Sequence, residues 1–400
     1  MSVPKTANLP DTANLTETAN LSEPASLSII PDLDPQAITN YMANMTPVWS
    51  TIDKYNFTVK IGHGTYGKVY RGYRKTDQKK VAVKMFVDDE ERVQNMGFSI
   101  MEMREVLLIK RIRSDYIVDI IDVVMHVDPK TNAITRYMVM PYYEADLFGV
   151  IRSKVVISMS QQKTVMIQLL MGLAALHCKH IMHRDLKTAN ILISEEGIIK
   201  IADFGMAKAF NAFTEGFTPN VVTPSYRGPE LLLRERIYGT GIDIWSAGCI
   251  MGELLTKKPT MKGFTEQARL KHINAMLGEI NEETYPGCTD LPAFRDLKNI
   301  CNIRRGPPLL RRMFAEGGEL FIDLIGKLLA LYPKNRITAD VATNHSYFDS
   351  DPKPVANLKS LLAKIPEGSK FLLKVREKKE PPARKRKSDV LTNDNFSKTF

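Results

Sequence analysis

The chain has 400 residues, of which 44% are hydrophobic and 25% charged, as in ordinary globular proteins with one large domain or two smaller ones. No uninterrupted apolar stretch approaches the ~18 residues that span a bilayer, and the N-terminus lacks the basic-then-apolar pattern of a signal peptide. We therefore expect neither a membrane protein nor a secreted one. Four scattered cysteines without paired metal spacing indicate reduced thiols in the cytosol or nucleus.

The two ends of the chain differ from its middle. The motif TANL recurs with a period of six from Thr6, Thr12 and Thr18, which is too short and polar for a folded repeat, so disorder is expected over 1–47. Near the other end, KKEPPARKRK (Lys378–Lys387) forms two basic clusters separated by a spacer. That pattern favours nuclear import over a merely solvated tail, and we expect a nuclear protein without sequence-specific nucleic-acid binding.

Between these ends, the hydrophobic pattern changes from strand-like to helical. Three β-type runs with glycine or polar turns begin at Tyr55 and predict an antiparallel sheet. A helix is predicted over Met96–Ile112, followed by strands over Ile117–Val127 and Ile134–Met140. After Tyr143 the pattern is mostly helical. The sequence thus predicts a small β-rich lobe and a larger helical lobe, with a ligand cleft at their join.

A glycine-rich motif lies between the first two predicted strands. IGHGTYGKV (Ile61–Val69) reads G-x-G-x-x-G, with Gly62, Gly64 and Gly67. Glycines let backbone N–H groups approach phosphate oxygens without a Cβ clash. A plain hairpin turn is the alternative, and the dinucleotide fingerprint is excluded because a strand follows the motif where that fingerprint needs a helix.

Lys84 ends the apolar strand VAVK, and Glu105 lies on the apolar face of the helix that follows. A carboxylate on such a face needs a cation, so we expect the two side chains to pair. The pair is either purely structural or holds Lys84 where its ammonium reaches the phosphates of a nucleotide.

The stretch HRDLKTANILISEEGIIKIADFG (His183–Gly205) places four polar side chains around two short apolar strands. Asp203 and Asn190 are hard oxygen ligands of the kind that Mg²⁺ takes beside phosphate oxygens. Lys187 can neutralise a phosphate, and Asp185 is left to accept a proton from an attacking hydroxyl. Metal ligands, cations and one carboxylate aligned with the nucleophile are what phosphoryl transfer requires.

Together these motifs resemble the signature of the eukaryotic protein kinases. The matching elements are the glycine-rich loop, Val81–Lys84, Glu105, His183–Asp185, Asn190, Asp203–Gly205, Gly228–Glu230, Asp243 and Arg336, the last of which commonly pairs in this family with the residue equivalent to Glu230. The resemblance covers about residues 53–360 and implies an α+β, bilobal fold with ATP bound between the lobes. The implied domains are a kinase domain over 55–348, with lobes 55–141 and 142–348, a packed extension over 349–375, and a basic tail over 376–400.

The resemblance also assigns roles to individual positions. The expected catalytic residues are Asp185, Lys187, Lys84, Glu105 and Thr223, and the expected Mg²⁺ ligands are Asn190 and Asp203. The expected ATP-binding residues are Ile61, Gly62, Gly64, Gly67, Val69, Ala82, Lys84, Pro141, Tyr143 and Asp146. For Asp146, which would meet the ribose, an ordinary acid at a helix N-terminus is the alternative.

The segment VVTPSYRGPELLL resembles that of the cyclin-dependent and MAP kinases, in which the residue at Arg227 shapes a pocket for proline after the phosphorylated Ser or Thr. Asn220 replaces the tyrosine that MAP kinases phosphorylate, which favours the cyclin-dependent group. HRDLKTANILI, ADFGMAKAF and GCIMGELLTKKPTMKGFTEQ are most similar to its transcriptional branch. The implied substrate is the RNA polymerase II C-terminal domain. Thr65-Tyr66 resembles the pair found in cell-cycle members of the group, so a cell-cycle kinase remains an alternative function. An inactive kinase-fold scaffold is a further alternative.

The implied partner is a cyclin, with a T-type cyclin favoured. SIMEMRE (Ser99–Glu105) occupies the position of the cyclin-contacting helix, although Ser99 replaces a proline and Glu102 a small residue. Phe98, Ile100 and Met103 would leave apolar surface exposed without a partner, and packing on the protein's own sheet is the alternative.

The same family pattern predicts an activating phosphorylation at Thr218. A cluster of cations, Arg104, Arg184 and Lys208, would receive the phosphate and tie the loop to the helix and the catalytic residues. Because Pro219 follows, Thr218 is itself a Thr-Pro site, open either to another copy of this protein or to a separate activating kinase.

Overall fold

A five-stranded antiparallel sheet forms the first lobe. Its strands pair in the order β1-β2-β3-β5-β4. Four consecutive residues of β3 are buried, as expected for a central strand covered on both faces. The strands are β1 (Tyr55–Gly64), β2 (Gly67–Arg74), β3 (Lys80–Met85), β4 (Asp122–Val127) and β5 (Ile134–Pro141).

The sheet belongs to a computed structural model that describes residues 51–64, 67–86, 98–131, 133–210, 216–295 and 309–371. The TANL repeats, the KKEPPARKRK clusters and the Thr65-Tyr66 pair lie outside these residues. No described helix is long and apolar enough to cross a membrane.

A long helix, α1 (Ile100–Arg111), packs in the first lobe. Ser99 and Glu102 begin it with a capping box, in which each side chain accepts from the other's backbone N–H, at 3.2 Å and 2.6 Å. The predicted helix began at Met96, which lies outside the described residues. The strand predicted from Ile117 is wrong in its first part: β4 begins at Asp122, because Ile117 forms a bridge with Ile201 of the second lobe.

The second lobe is mainly helical. Two small sheets lie beside the cleft, with strand orders β6-β8-β9 and β7-β10. Their strands are β6 (Ala145–Asp146), β7 (Ile181–Met182), β8 (Ile191–Ile193), β9 (Ile199–Ile201) and β10 (Lys208–Ala209). The helices are α2 (Leu147–Arg152), α3 (Met159–His177), α4 (Pro229–Leu232), α5 (Gly241–Thr256), α6 (Glu266–Leu277), α7 (Leu310–Met313), α8 (Glu319–Leu328), α9 (Ala339–Thr343), α10 (Ser346–Asp349) and α11 (Lys359–Leu362).

Helix α5 forms the centre of this lobe. Its residues are buried without a break from Ile242 to Leu254, and the Trp245 side chain is completely enclosed. A helix that is apolar all round is stable only inside a core, and α5 packs against α3 and α8. The core is therefore a rigid support for the polar residues that lie between the lobes. The predicted fold, a β-rich lobe followed by a helical lobe, is confirmed.

Candidate active site

The predicted pair of Lys84 and Glu105 joins β3 to α1. The Lys84 ammonium donates to Glu105 Oε1 at 2.6 Å and to Oε2 at 2.8 Å. Asp203 Oδ1 lies 4.0 Å from the same Nζ atom. Burial alone would lower the pKa of Lys84, but the charges of Glu105 and Asp203 raise it above its ordinary value, so the ammonium is charged.

Asp203 has a left-handed backbone conformation, with φ at 67°, at the start of the turn Phe204–Met206. The Phe204 ring is buried, and its centroid lies 5.1 Å from that of His183. The Asp203 side chain is 42% exposed, whereas Lys84 beside it is only 9% exposed. A strained conformation in a non-glycine residue persists only where its surroundings fix it, which here leaves a carboxylate open beside a buried cation.

Asp185 is the centre of the second predicted group. The Lys187 ammonium donates to Asp185 Oδ2 at 2.7 Å and to Thr223 Oγ1 at 3.2 Å. The Thr223 hydroxyl and N–H both donate to Asp185 Oδ1, at 2.7 Å and 3.0 Å. The Asn190 amide donates to the Asp185 backbone oxygen at 2.8 Å. The structure therefore brings together all four residues, including Thr223, which is far from the others in the sequence.

Asp243, at the start of α5, holds the loop that carries Asp185. Its carboxylate accepts from the backbone N–H of His183 at 2.9 Å and of Arg184 at 3.0 Å, and it meets His177 Nε2 at 3.0 Å. Complete burial alone would raise the pKa of Asp243, but these hydrogen bonds and charges hold it below its ordinary value. The loop that carries Asp185 is thus fixed by the core helix α5.

The glycine-rich hairpin joins β1 to β2, and β2 pairs with β3, the strand that carries Lys84. Gly62 pairs with Val69, and Gly64 pairs with Gly67 at the end of the hairpin. Gly67 has a φ of 153°, and a Cβ atom there would lie 2.3 Å from the Met85 carbonyl oxygen, so no larger residue fits without movement of β3.

The boundary between the lobes also includes the end of β5. Ala82 pairs with Met140 and Val81 with Pro141, which places the predicted adenine-facing residues side by side. The Tyr143 side chain is turned inward and buried, and its hydroxyl accepts from the Asp119 N–H at 3.4 Å. Only the backbone of Tyr143 was predicted to face adenine, and the inward side chain is compatible with that prediction.

Asp146 has the alternative role that the sequence left open. Its side chain is completely buried and caps α2 by accepting from the Gly149 N–H at 2.7 Å. A C-terminal segment covers it: the Asp146 N–H donates to the Lys370 carbonyl at 3.0 Å, and the Phe371 ring lies 6.3 Å from that of Tyr142. A ribose contact for Asp146 would require this segment to move. No feature of the sequence near Asp146 indicated the covering segment.

The three predicted phosphate-receiving cations lie close together in the structure. Burial and the positive charge of Arg184 lower the pKa of Arg104, and burial followed by the charges of Arg184 and Arg104 lowers the pKa of Lys208. The Phe217 ring lies 4.8 Å from the Lys208 ammonium and 5.9 Å from the Arg184 guanidinium. Thr218, next to this ring, is exposed. The cations thus repel one another beside an accessible hydroxyl.

Arg227, which the sequence predicted to shape a proline pocket, is held by backbone carbonyls and by one acid. Its Nε atom donates to the carbonyl oxygens of Val221 and Val222, each at 2.9 Å, and Val222 has a left-handed φ of 65°. One Nη atom of Arg227 donates to Glu266 Oε1, at the start of α6, at 3.1 Å. The sequence did not predict the hydrogen bond between Arg227 and Glu266, because the two residues are distant in sequence and an acid at a helix N-terminus is common.

Three apolar residues were predicted to be exposed unless a partner covers them, and two of the three are buried in the protein itself. Phe98 is 3% exposed and Met103 is 4% exposed, and Phe98 packs edge-on against Phe86 with ring centroids 6.0 Å apart. The side chain of Ile100 lies outside the described residues. Met101 is a large apolar residue of this helix that is exposed, at 57%. The alternative, packing on the protein itself, holds for Phe98 and Met103.

Comparison with known proteins identifies the family. The protein kinase domain model matches residues 55–348. The chain belongs to the protein kinase family. Cyclin-dependent kinase 9 of Xenopus tropicalis is 38% identical over 336 residues, with 81% of this chain and 88% of the relative covered. Cyclin-dependent kinase 9 of Homo sapiens is 37% identical over 351 residues, with 85% and 90% covered.

Solved structures agree with this assignment. One is the CAK complex from Chaetomium thermophilum bound to ATP-gamma-S, with a TM-score of 0.68, 31% identity, and 81% of this chain and 97% of that chain covered. Another is the yeast RNA Pol II CTD kinase CTDK-1 complex, with a TM-score of 0.68, 31% identity, and 78% and 97% covered. This kinase is therefore a serine/threonine protein kinase of the cyclin-dependent group, and the predicted resemblance to that group is confirmed.

Proposed function

We propose that this kinase is cyclin-dependent and proline-directed, and that it transfers the γ-phosphoryl group of ATP to Ser-Pro and Thr-Pro sites of the RNA polymerase II C-terminal domain. The observation that carries the proline preference is the double hydrogen bond from Arg227 Nε to the carbonyls of Val221 and Val222. The choice of polymerase as substrate is supported by similarity to cyclin-dependent kinase 9 and to a yeast RNA Pol II CTD kinase.

The proline preference follows from how these carbonyls are used. A residue that follows the phosphorylated Ser or Thr would bring a backbone N–H, which needs an acceptor when the peptide binds. Arg227 already occupies the carbonyls of Val221 and Val222 that line this place. Burying an unpaired N–H costs about 1–3 kcal/mol, and proline has none. The pocket therefore favours proline by avoiding that cost.

The chemistry of the remaining groups fits phosphoryl transfer. Asp185 lies where its carboxylate can accept the proton of the substrate hydroxyl, whose oxygen bonds to the γ-phosphorus as the bond from that phosphorus to the β–γ bridging oxygen breaks. Lys187, 2.7 Å from Asp185, offsets negative charge, and Thr223 orients the Asp185 carboxylate. We assign contacts with the α- and β-phosphates of ATP to Lys84, which Glu105 fixes in place.

The donor set also fits the metal that these reactions use. Asp203 supplies a partly exposed carboxylate, and Asn190 supplies an amide held by its hydrogen bond to Asp185. These hard oxygen donors would hold Mg²⁺, which when bound neutralises phosphate charge. We assign ATP contacts to the glycine-rich hairpin and to the edge residues Ala82, Pro141 and Tyr143.

The same relatives support a proposal for the activating partner and for the cellular location. We propose a cyclin as the activating partner, bound near α1, and T-type as its class. The nucleus is the proposed site of action, with the basic tail as the import signal. We also propose that phosphorylation of Thr218 completes activation, since a phosphate there would bring nearly two negative charges to three mutually repelling cations.

Peptide pairs test the proline assignment. The full-length kinase with its activating partner should phosphorylate a Ser-Pro peptide with a kcat/KM about 5- to 150-fold above that of the matched Ser-Ala peptide, since one unpaired N–H costs about 1–3 kcal/mol. An Asp185→Asn variant controls for contaminating kinases. Equal values for the two peptides would contradict a proline-directed enzyme.

A further inference from the structure

A group of arginines borders the proline pocket and contains more positive charge than its one acid neutralises. The Glu266 carboxylate meets Arg227 through Oε1 at 3.1 Å and Arg234 through Oε2 at 3.9 Å. Arg269 lies one helical turn after Glu266 on α6, and the charges of Arg227 and Glu266 both act on it. Glu266 is thus the acid that Arg227 and Arg234 share, and Arg269 adds a third guanidinium group close to it.

Arg234 occupies a backbone conformation that favours glycine. Its φ is 63°, directly after the short helix α4, where glycine is the common residue. An L-residue in this region carries a strain that persists only when something compensates for it. The Arg234 side chain is 61% exposed, so packing in the core does not compensate for this backbone strain. The residue contributes a positive charge that faces the solvent.

Arg269 supplies an independent observation. Its Nε atom is buried and, among the residues that the structure describes, meets no hydrogen-bond acceptor. Burial and the nearby charge of Arg227 lower its pKa. A buried guanidinium N–H normally finds an acceptor, so this one needs an oxygen from outside the described residues, either an ordered water or a ligand. Glu266, already shared between Arg227 and Arg234, does not supply it.

We propose that Arg234 and Arg269, beside Arg227, form a subsite for an anionic side chain that flanks the Ser-Pro or Thr-Pro pair of the substrate. The proposal rests on the proposed proline-directed function and narrows its substrate class. Guanidinium groups bind phosphate and carboxylate through paired N–H donors, so a phosphorylated or an acidic residue fits. Because Arg227 and Arg234 both contact Glu266, the subsite lies within a few residues of the proline along an extended peptide.

A peptide scan tests the subsite. A fixed Ser-Pro peptide carries one phosphoserine, one glutamate or one glutamine, moved stepwise along both flanks, and the full-length kinase is assayed with its activating partner. At one or two adjacent positions, glutamate should raise kcat/KM over glutamine about two- to fivefold, and phosphoserine should raise it further. The gain should shrink as ionic strength rises, because exposed charges are screened. A gain from phosphoserine alone would assign the subsite to phosphorylated substrates.

Variants identify the residues responsible. Arg269→Gln and Arg234→Gly should each reduce the ratio between anionic and neutral peptides towards one, and Arg269→Lys should keep part of it. Arg311→Gln is the matched control, because Arg311 is also exposed but pairs with Glu319 elsewhere on the lobe. Arg234→Gly also removes the backbone strain, so it should fold at least as well as the wild type.

The outcomes separate this inference from the proposed function. No gain at any position, with the Ser-Pro preference over Ser-Ala intact, would overturn the subsite and leave the proposed function standing. An anion gain that persists in both Arg234→Gly and Arg269→Gln would also overturn it. An anion gain lost in these variants, in an enzyme that does not distinguish Ser-Pro from Ser-Ala, would uphold the subsite and overturn the proline-directed function.

Discussion

Two buried ion pairs, one in each lobe, show how similar interactions serve different purposes. In the first lobe Lys84 pairs with Glu105, with side chains 9% and 4% exposed. In the second lobe Arg336 pairs with Glu230, with side chains 1% and 0% exposed. Both pairs place a full charge inside the protein, which is costly unless the partner and additional hydrogen bonds compensate. The pairs differ in how completely those additional bonds are made.

The Arg336 guanidinium is saturated by protein groups. Two Nη atoms meet Glu230 at 2.5 Å and 2.7 Å, and the carbonyls of Ala330, Gly241 and Leu331 accept the remaining bonds. Its Cζ atom also lies 4.9 Å from the centroid of the Trp245 ring. Nothing remains for a ligand, so this pair joins the segment around α4 to the end of α8 and contributes to stability alone.

The Lys84 ammonium is not saturated in the same way. Two of its contacts are the oxygens of Glu105, and its third is Asp203 at 4.0 Å, beyond hydrogen-bond distance. A compact cation held by one carboxylate and facing a second is suited to a ligand with its own negative oxygens. Incomplete pairing, more than burial itself, therefore distinguishes the pair to which we assign ATP from the pair that is saturated by protein groups.

Exchanging lysine and arginine at the two pairs tests this comparison. Lys84→Arg should lower kcat for phosphoryl transfer by about 100- to 1,000-fold, because the planar fork does not replace a point charge at the same reach. Radiolabelled phosphate transfer, with the activating partner bound, measures the effect. An unchanged melting temperature serves as the folding control. Near-normal activity would mean that Lys84 is a structural residue only.

The reciprocal exchange, Arg336→Lys, should act on stability. Lysine cannot reach Glu230 and the three carbonyls together, so buried acceptors lose their donors and the free energy of unfolding should fall by about 3 kcal/mol. Urea denaturation of the purified chain gives this value. A loss below about 1 kcal/mol would show that the saturated network contributes less than its geometry suggests.

A smaller effect is expected where the charges are only partly buried. Thr218→Ala should reduce the activity of the partner-bound kinase by about 5- to 150-fold, the usual range of coupling between a regulatory site and an active site. The cause is the loss of a phosphate that would tie together Arg104, Arg184 and Lys208. Initial rates on a Ser-Pro peptide measure it, with Thr218→Ser as the matched control. Full activity of the alanine variant would remove the proposed switch.

The same contrast explains what could be predicted from the sequence. The Lys84–Glu105 pair was predictable because a carboxylate on the apolar face of a helix needs a cation, and a strand ending in lysine came shortly before. The group around Asp185 was predictable because most of its members lie within one short stretch. Local patterns therefore determined most of the candidate site.

The contacts that were missed join distant parts of the chain. The burial of Asp146 depends on the backbone of Lys370, and the pairing of Arg227 depends on Glu266. The exposure expected for Phe98 and Met103 was wrong because helical periodicity defines an apolar face but does not show what covers it. These features depend on tertiary packing, which a single sequence does not specify.

If the residues around Asp185 form a working phosphoryl-transfer site, removal of the Asp185 carboxylate should nearly abolish transfer. The test compares γ-phosphoryl transfer from ATP to a Ser-Pro peptide by the full-length, partner-bound kinase and by its Asp185→Asn variant, with matched melting temperatures. We expect measurable transfer by the wild type and a fall of about 100- to 10,000-fold in the variant, as expected for loss of a general base. Equal transfer by the two proteins, or none by the wild type with its partner bound, would contradict it.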